Sequence, residues 1–91
     1  SNFEIEEFQL SNNPQYLSAI QGRSLAELEL GRRSGALVLA IRDQGQLIAN
    51  PGGDMELAPG QLLIVLGSKL QLSRFQQLLG EAVDSIETMP G

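Results

Sequence analysis

Two stretches of this chain, Ala36–Ile41 and Leu62–Leu66, are apolar at every position, and each abuts a glycine, Gly35 before the first and Gly67 after the second. A strand with one wet face alternates apolar and polar residues. An unbroken run predicts a strand covered on both faces, either central in a sheet or set at a subunit contact. Neither run approaches the roughly 20 residues that a membrane span needs, and no charged-then-apolar signal segment opens the chain, so direct membrane insertion is not expected. With 91 residues there is material for one core, because two would each be too small to fold without metal or disulfide help. A single domain over 1–91 follows, with an apolar surface that a monomer of this size has difficulty covering, which points to a homodimer.

Around those runs the punctuation is dense. Phe3 and Ile5 alternate with acidic residues, and Phe8 and Leu10 resume on the other parity after Glu6-Glu7, which predicts an edge strand with a bulge or bend. Ser11-Asn12-Asn13-Pro14 stops it, and a loop runs to about Gly22. Ser24-Leu25-Ala26-Glu27 has the form of a capping box, so a short helix is expected from Ser24 to Leu30 with Gly31 ending it and Leu25 and Leu28 facing inward. Asp43-Gln44-Gly45-Gln46 fits a hairpin turn that returns Leu47–Asn50 against the first apolar run. Ala58-Pro59-Gly60-Gln61 places Pro and Gly as a type II turn requires. Ser68-Lys69-Leu70-Gln71 opens a second helix carrying Leu72, Phe75, Leu78 and Leu79 and ending at Gly80. Residues 81–91 form either an extra helix with a Val83, Ile86 and Met89 stripe or a tail. The order strand, helix, hairpin, strand, helix predicts an α+β domain: a small mixed, mainly antiparallel sheet with two helices.

Composition excludes much chemistry. There is no Cys and no His, which removes a disulfide framework, thiolate or imidazole metal ligands, and nucleophilic catalysis by Cys or a His-activated Ser. Six basic against eleven acidic side chains give a formal charge of −5, a poor match for a phosphate backbone, so no nucleic-acid partner is expected.

Residues 16–79 carry an ordered set of features: Gly22-Arg23-Ser24-Leu25 with Glu27-Leu28, then Val38-Leu39-Ala40-Ile41-Arg42, then Pro51 and Asp54, Leu57, Gly60, and a strand from Leu62 to Gly67. In this the chain resembles the C-terminal RCK domain, or TrkA-C domain, of potassium channels and cation transporters. Gln61 departs from the pattern, since the family commonly has Asp after the turn glycine. The resemblance implies a non-catalytic, cytoplasmic regulatory module, usually dimeric, that is part of or attached to a channel or transporter subunit or lies beside a nucleotide-binding RCK domain. The domain core is expected over about 16–80. In part of the family the ligand is cyclic di-AMP, bound across the dimer interface, and carried over by position its contacts would be Ile41, Arg42, Asn50 and Pro51. No other cofactor and no metal is implied.

Chemistry supports such a site without the resemblance. A two-fold dimer presents each residue twice about its axis, matching a ligand that is itself two-fold symmetric. Arg42 offers a planar fork for a phosphate, the Gly52-Gly53 amides add donors, and Ile41 and Pro51 offer an apolar bed for a base. The plainer alternative leaves Arg42 paired with Asp43, Asp54 or Glu56 and the module purely structural. Arg32-Arg33 reads as a solvated loop pair, Glu4, Glu6 and Glu7 as a wet strand edge, and Asp54 with Glu56 as surface carboxylates, not a hydrolytic pair.

Overall fold

The computed structural model describes residues 2–84. In chain order they form β1 (Phe3–Gln9), a 3-10 turn (Pro14–Leu17), α1 (Leu25–Leu28), α2 (Leu30–Ser34), β2 (Leu37–Asp43), β3 (Gln46–Ala49), β4 (Leu62–Ser68), α3 (Lys69–Leu79) and a second 3-10 turn (Gly80–Ala82). The strands make one four-stranded sheet in the order β1-β4-β2-β3, antiparallel at every pairing. The two apolar runs therefore lie side by side at its centre, β4 between β1 and β2.

One face of this sheet is covered. Phe8, Ile41, Leu63 and Val65 point toward α3 and the loops, where Leu72, Phe75, Leu17, Leu30 and Leu57 join them in one buried core. Phe8 and Phe75 pack with ring centroids 5.1 Å apart at 44°, a tilted aromatic contact that locks the edge strand to the helix. Among the described residues, the other face carries no helix. Pleat alternation puts Ile5, Leu66 and Leu37 in one cross-strand row, Glu7, Ile64, Ala40 and Ala49 in the next, and Gln9, Leu62, Arg42 and Leu47 in a third. Phe3, Ile5, Leu37 and Leu47 on that face are each more than half exposed, at 71, 62, 57 and 53%. The unbroken apolar runs are thus covered on one side only.

Two expectations are revised. First, β1 has no bulge: its register with β4 is continuous from Phe3↔Ser68 to Gln9↔Leu62. The change of parity is real, but Phe3 and Ile5 lie on the uncovered face and Phe8 on the core face, so no extra residue is needed. The irregularity falls instead in β2, between Val38 and Ala40. Second, the first helix does not run to Leu30. The capping box forms as expected, Ser24 Oγ accepting from Glu27 N–H at 3.1 Å and Glu27 Oε1 accepting from Ser24 N–H at 3.2 Å. Glu29 then adopts the left-handed conformation at φ 52°, ending α1, and α2 restarts through Gly31 to be capped by Gly35 at φ 82°. The reason is packing: a continuous helix would turn Leu30 to the side opposite Leu28, whereas the break lets Leu30 reach the core at 2% exposure.

After α3, the described residues 80–84 fold back against the segment that follows β1. The second 3-10 turn buries Ala82, the Ala82 carbonyl accepts from Ser11 N–H at 2.8 Å, and Val83 bridges to Leu10. The Ile86 and Met89 part of the expected stripe lies outside the described residues.

The turns follow their chemistry. Gln44 and Gly45 both have positive φ, 50° and 81°, as a two-residue primed hairpin turn requires. Gly60 has φ 80° and closes the turn from Ala58 to Gln61; a Cβ there would stand 2.5 Å from Asn12 Oδ1. The Ser68 box also forms, with Ser68 Oγ accepting from Gln71 N–H at 3.1 Å and Gln71 Oε1 accepting from Ser68 N–H at 2.9 Å.

Candidate functional site

β3 is shorter than β2 and pairs only with Ala40–Asp43. Beyond it, the chain keeps one further tie to β2, from Asn50 N–H to the Leu39 carbonyl at 2.8 Å, and then turns away at Pro51. The start of β2 therefore lacks a neighbouring strand on that side, and a groove of about 360 Å³ opens there. Ala36, Leu37 and Val38 form its floor, α1 and the start of α2 one wall, and Asn50, Pro51 and Gly53 the other.

The walls are held by backbone. Leu25 N–H donates to the Met55 carbonyl and Ala26 N–H to the Gly53 carbonyl, each at 2.9 Å, so the first turn of α1 is tied to the loop after β3. Gly53 approaches closely: a Cβ there would lie 3.1 Å from Ala26 Cβ. Asn50 occupies the left-handed region at φ 50°, a conformation Asn tolerates better than most residues, and this lets the chain leave the hairpin and form the rim.

Among the described residues two charged ones line this groove, Glu29 and Arg32, and their side chains form an ion pair with each other. Hydrogen bonding to the Arg32 guanidinium and its charge hold the Glu29 carboxyl below the usual carboxylate range, and the same contact raises Arg32. Both are largely open to solvent, so the pair can exchange partners at little cost.

Of the four residues expected at a ligand site, Asn50 and Pro51 come together on the groove rim. Ile41 and Arg42 are neighbours on β2 and so face opposite ways. Ile41 is wholly buried in the core, while Arg42 is exposed on the uncovered sheet face between Leu62 and Leu47. Arg42 forms no ion pair among the described residues. Leu37, Glu29 and Arg32 belong to the groove without having been singled out for it; the break at Glu29 that brings the latter two to the wall has no local signal in the sequence.

A second hollow, of about 420 Å³, lies on the other side of Pro51 and is lined by Asp43, Asp54, Glu56 and Gln61 among others. Asp54 and Glu56 are exposed there. Gln61 is buried and fully engaged: Oε1 accepts from Ala58 N–H at 2.9 Å, and Nε2 donates to Asp43 Oδ2 at 3.2 Å and to the Glu56 carbonyl at 3.4 Å. Glu4 and Glu6 project to one face of β1 and Glu7 to the other, and among the described residues no three acidic side chains gather to hold a metal ion.

The family model described as the TrkA-C domain matches residues 16–80. Among solved structures, the RCK_C domain dimer of S. agalactiae BusR in complex with c-di-AMP is similar at 23% identity and TM-score 0.73, covering 87% of this chain and 93% of that one. The RCK C domain of the potassium transport protein KtrA, also in complex with c-di-AMP, is similar at 24% identity and TM-score 0.70, covering 82% and 81%. The GsuK RCK domain follows at 25% identity and TM-score 0.67, with 87% of this chain and 16% of that one covered. BusR is also seen in complex with its busAB-promotor DNA, where the match is 24% identical with TM-score 0.71 and covers 82% of this chain but 35% of that one. No curated protein matches the chain by sequence.

Proposed function

This chain belongs to the TrkA-C domain family, and from that premise we propose that it is the ligand-sensing and dimerisation module of a cytoplasmic regulator of potassium or other cation transport. The ligand is a cyclic dinucleotide, and the uncovered sheet face is the seam between two copies. One observation carries this reading: Leu37 lines the groove and also stands on the uncovered apolar face, so the groove opens beside the surface that a second copy would cover. A ligand placed there touches both chains, and a two-fold axis through the seam gives a two-fold ligand the same contacts twice. The c-di-AMP complexes of the BusR and KtrA domains support the choice of ligand.

In this proposal Asn50 and Pro51 are the groove's own contacts. Arg42 meets the ligand from the seam, and Ile41 supports the strand from the core side. Binding alters the relative orientation of the two copies and passes that change to an adjoining nucleotide-binding domain or transport subunit. We assign no reaction, since the family is regulatory and Asp54 and Glu56 are solvated surface groups. Attachment to a membrane protein is by a partner or another domain: no helix among the described residues is long and apolar enough to cross a membrane. With a net charge of −5, any DNA contact in a parent protein falls to another domain.

Calorimetric titration with c-di-AMP and with AMP tests the reading. The expected result is one c-di-AMP per two chains, weakened about tenfold or more in Arg42→Ala and in Asn50→Gly, which keeps the left-handed backbone. Flat titrations of a chain that still sediments as a dimer would leave a purely structural module. That alternative is favoured by the apolar face itself, which requires a cover whether or not a ligand is present.

A further inference from the structure

We propose that Glu29 is a built-in competitor for the anion site of the groove, one that selects phosphodiesters over phosphomonoesters, with Arg32 as the cation for which carboxylate and phosphate compete. The inference rests on the ligand-sensing reading above and adds the charge rule by which the site chooses.

Among the described residues, Arg32 is the sole basic residue lining the groove and Glu29 the sole acidic one, and each already holds the other. An incoming phosphate takes the Arg32 fork, the geometry guanidinium groups favour, by displacing the Glu29 carboxylate. It then sits a few ångströms from a carboxylate that has lost its partner. For a phosphodiester, which carries one negative charge per phosphate, this exchanges one ion pair for another and leaves a modest repulsion. A phosphomonoester at neutral pH carries close to two charges, so the same carboxylate repels it about twice as strongly. Selection of this kind works by penalising the wrong ligand.

The backbone marks Glu29 as well, one of three non-glycine residues with positive φ among the described residues, beside Gln44 in the hairpin turn and Asn50 on the groove rim. It is a non-glycine residue at φ 52°, in the break between α1 and α2, where glycine would sit without steric cost. That break places its carboxylate three residues ahead of Arg32 at the groove wall. A strained position that still carries an acidic side chain is accounted for if the side chain acts at the groove.

The test titrates c-di-AMP and AMP into the dimeric wild type, Glu29→Gln, Glu29→Gly and Arg32→Ala. Both Glu29 variants should bind AMP about tenfold tighter and c-di-AMP about threefold tighter, narrowing the preference for the diester, with the gain shrinking as salt is raised. Arg32→Ala should weaken both ligands. Equal behaviour of Glu29→Gln, which keeps the strain, and Glu29→Gly, which relieves it, assigns the effect to charge; a gain confined to Glu29→Gly overturns the inference. So does an unchanged c-di-AMP to AMP ratio in both variants of a protein that binds c-di-AMP, and in that case the sensing reading stands. A wild type that binds no c-di-AMP removes both together.

Discussion

The Gln61 side-chain amide donates to the Asp43 carboxylate at 3.2 Å, joining the β2–β3 hairpin turn to the turn that enters β4. Gln61 is 1% exposed, and its second atom accepts from Ala58 N–H. The family's more common Asp would retain an acceptor for that N–H but has no donor for Asp43. The departure from the family pattern is thus matched to the hairpin residue it faces.

Gln61→Asp should therefore destabilise the domain by about 2 kcal/mol near neutral pH, by setting two carboxylates against each other in partly buried surroundings. One shared proton relieves the clash, so the folded pair binds protons more tightly than the unfolded chain and the loss shrinks as pH falls. Urea unfolding at about pH 7 and about pH 4 measures this, and adding Asp43→Asn should restore most of the loss. An equal loss at both pH values would refute the pairing argument.

Gly60 combines positive φ with a close neighbour. Gly60→Ala is expected to cost about 1–2 kcal/mol, mainly from left-handed strain, because the exposed Asn12 side chain can swing away from the new methyl group. Pairing it with Asn12→Ala should therefore recover little and leave the conformational part, measured as shifts in urea midpoint at constant slope.

The Ser24 backbone N–H, and then its hydroxyl, hold the Glu27 carboxyl below its usual range. A lowered folded-state value means stability that is present above the ordinary carboxylate range and lost as pH falls through the lowered one. Glu27→Gln should flatten the acid limb of the stability curve and leave the alkaline limb unchanged. Urea midpoints across the acid range, wild type against variant, decide it; parallel acid limbs would rule out a charge-dependent contribution of the capping contact to stability.

Leu37 is 57% exposed and opposite Leu66 on the uncovered face, so a polar substitution there should barely affect folding. Leu37→Lys is expected to weaken self-association by about tenfold or more. Sedimentation velocity up to about 100 µM reads this directly. A wild type that remains monomeric at that concentration excludes the seam.

Legibility of the sequence followed the range of the forces involved. Both capping boxes, the Gln44-Gly45 hairpin and the Pro59-Gly60 turn were readable because each is decided by a few neighbouring residues. The break at Glu29 was not, because nothing near it outweighs Gly31 as a stop; the burial of Leu30 decides it from across the domain. At the groove, Asn50 and Pro51 had been named through the family resemblance alone, and they stand on its rim. Ile41 and Arg42 could not share one side of a strand, as pleat parity alone dictates. Leu37, Glu29 and Arg32 became visible only when distant segments were brought together.

The four residues of β3 against the seven of β2 leave part of the central strand without an escort. Extending that hairpin arm by one or two further rungs would seal the berth from within and leave the hydrophobic interior untouched. On the proposed sensing role, hairpin length sets whether a small molecule can enter here, a trait that insertions and deletions reset in a single event.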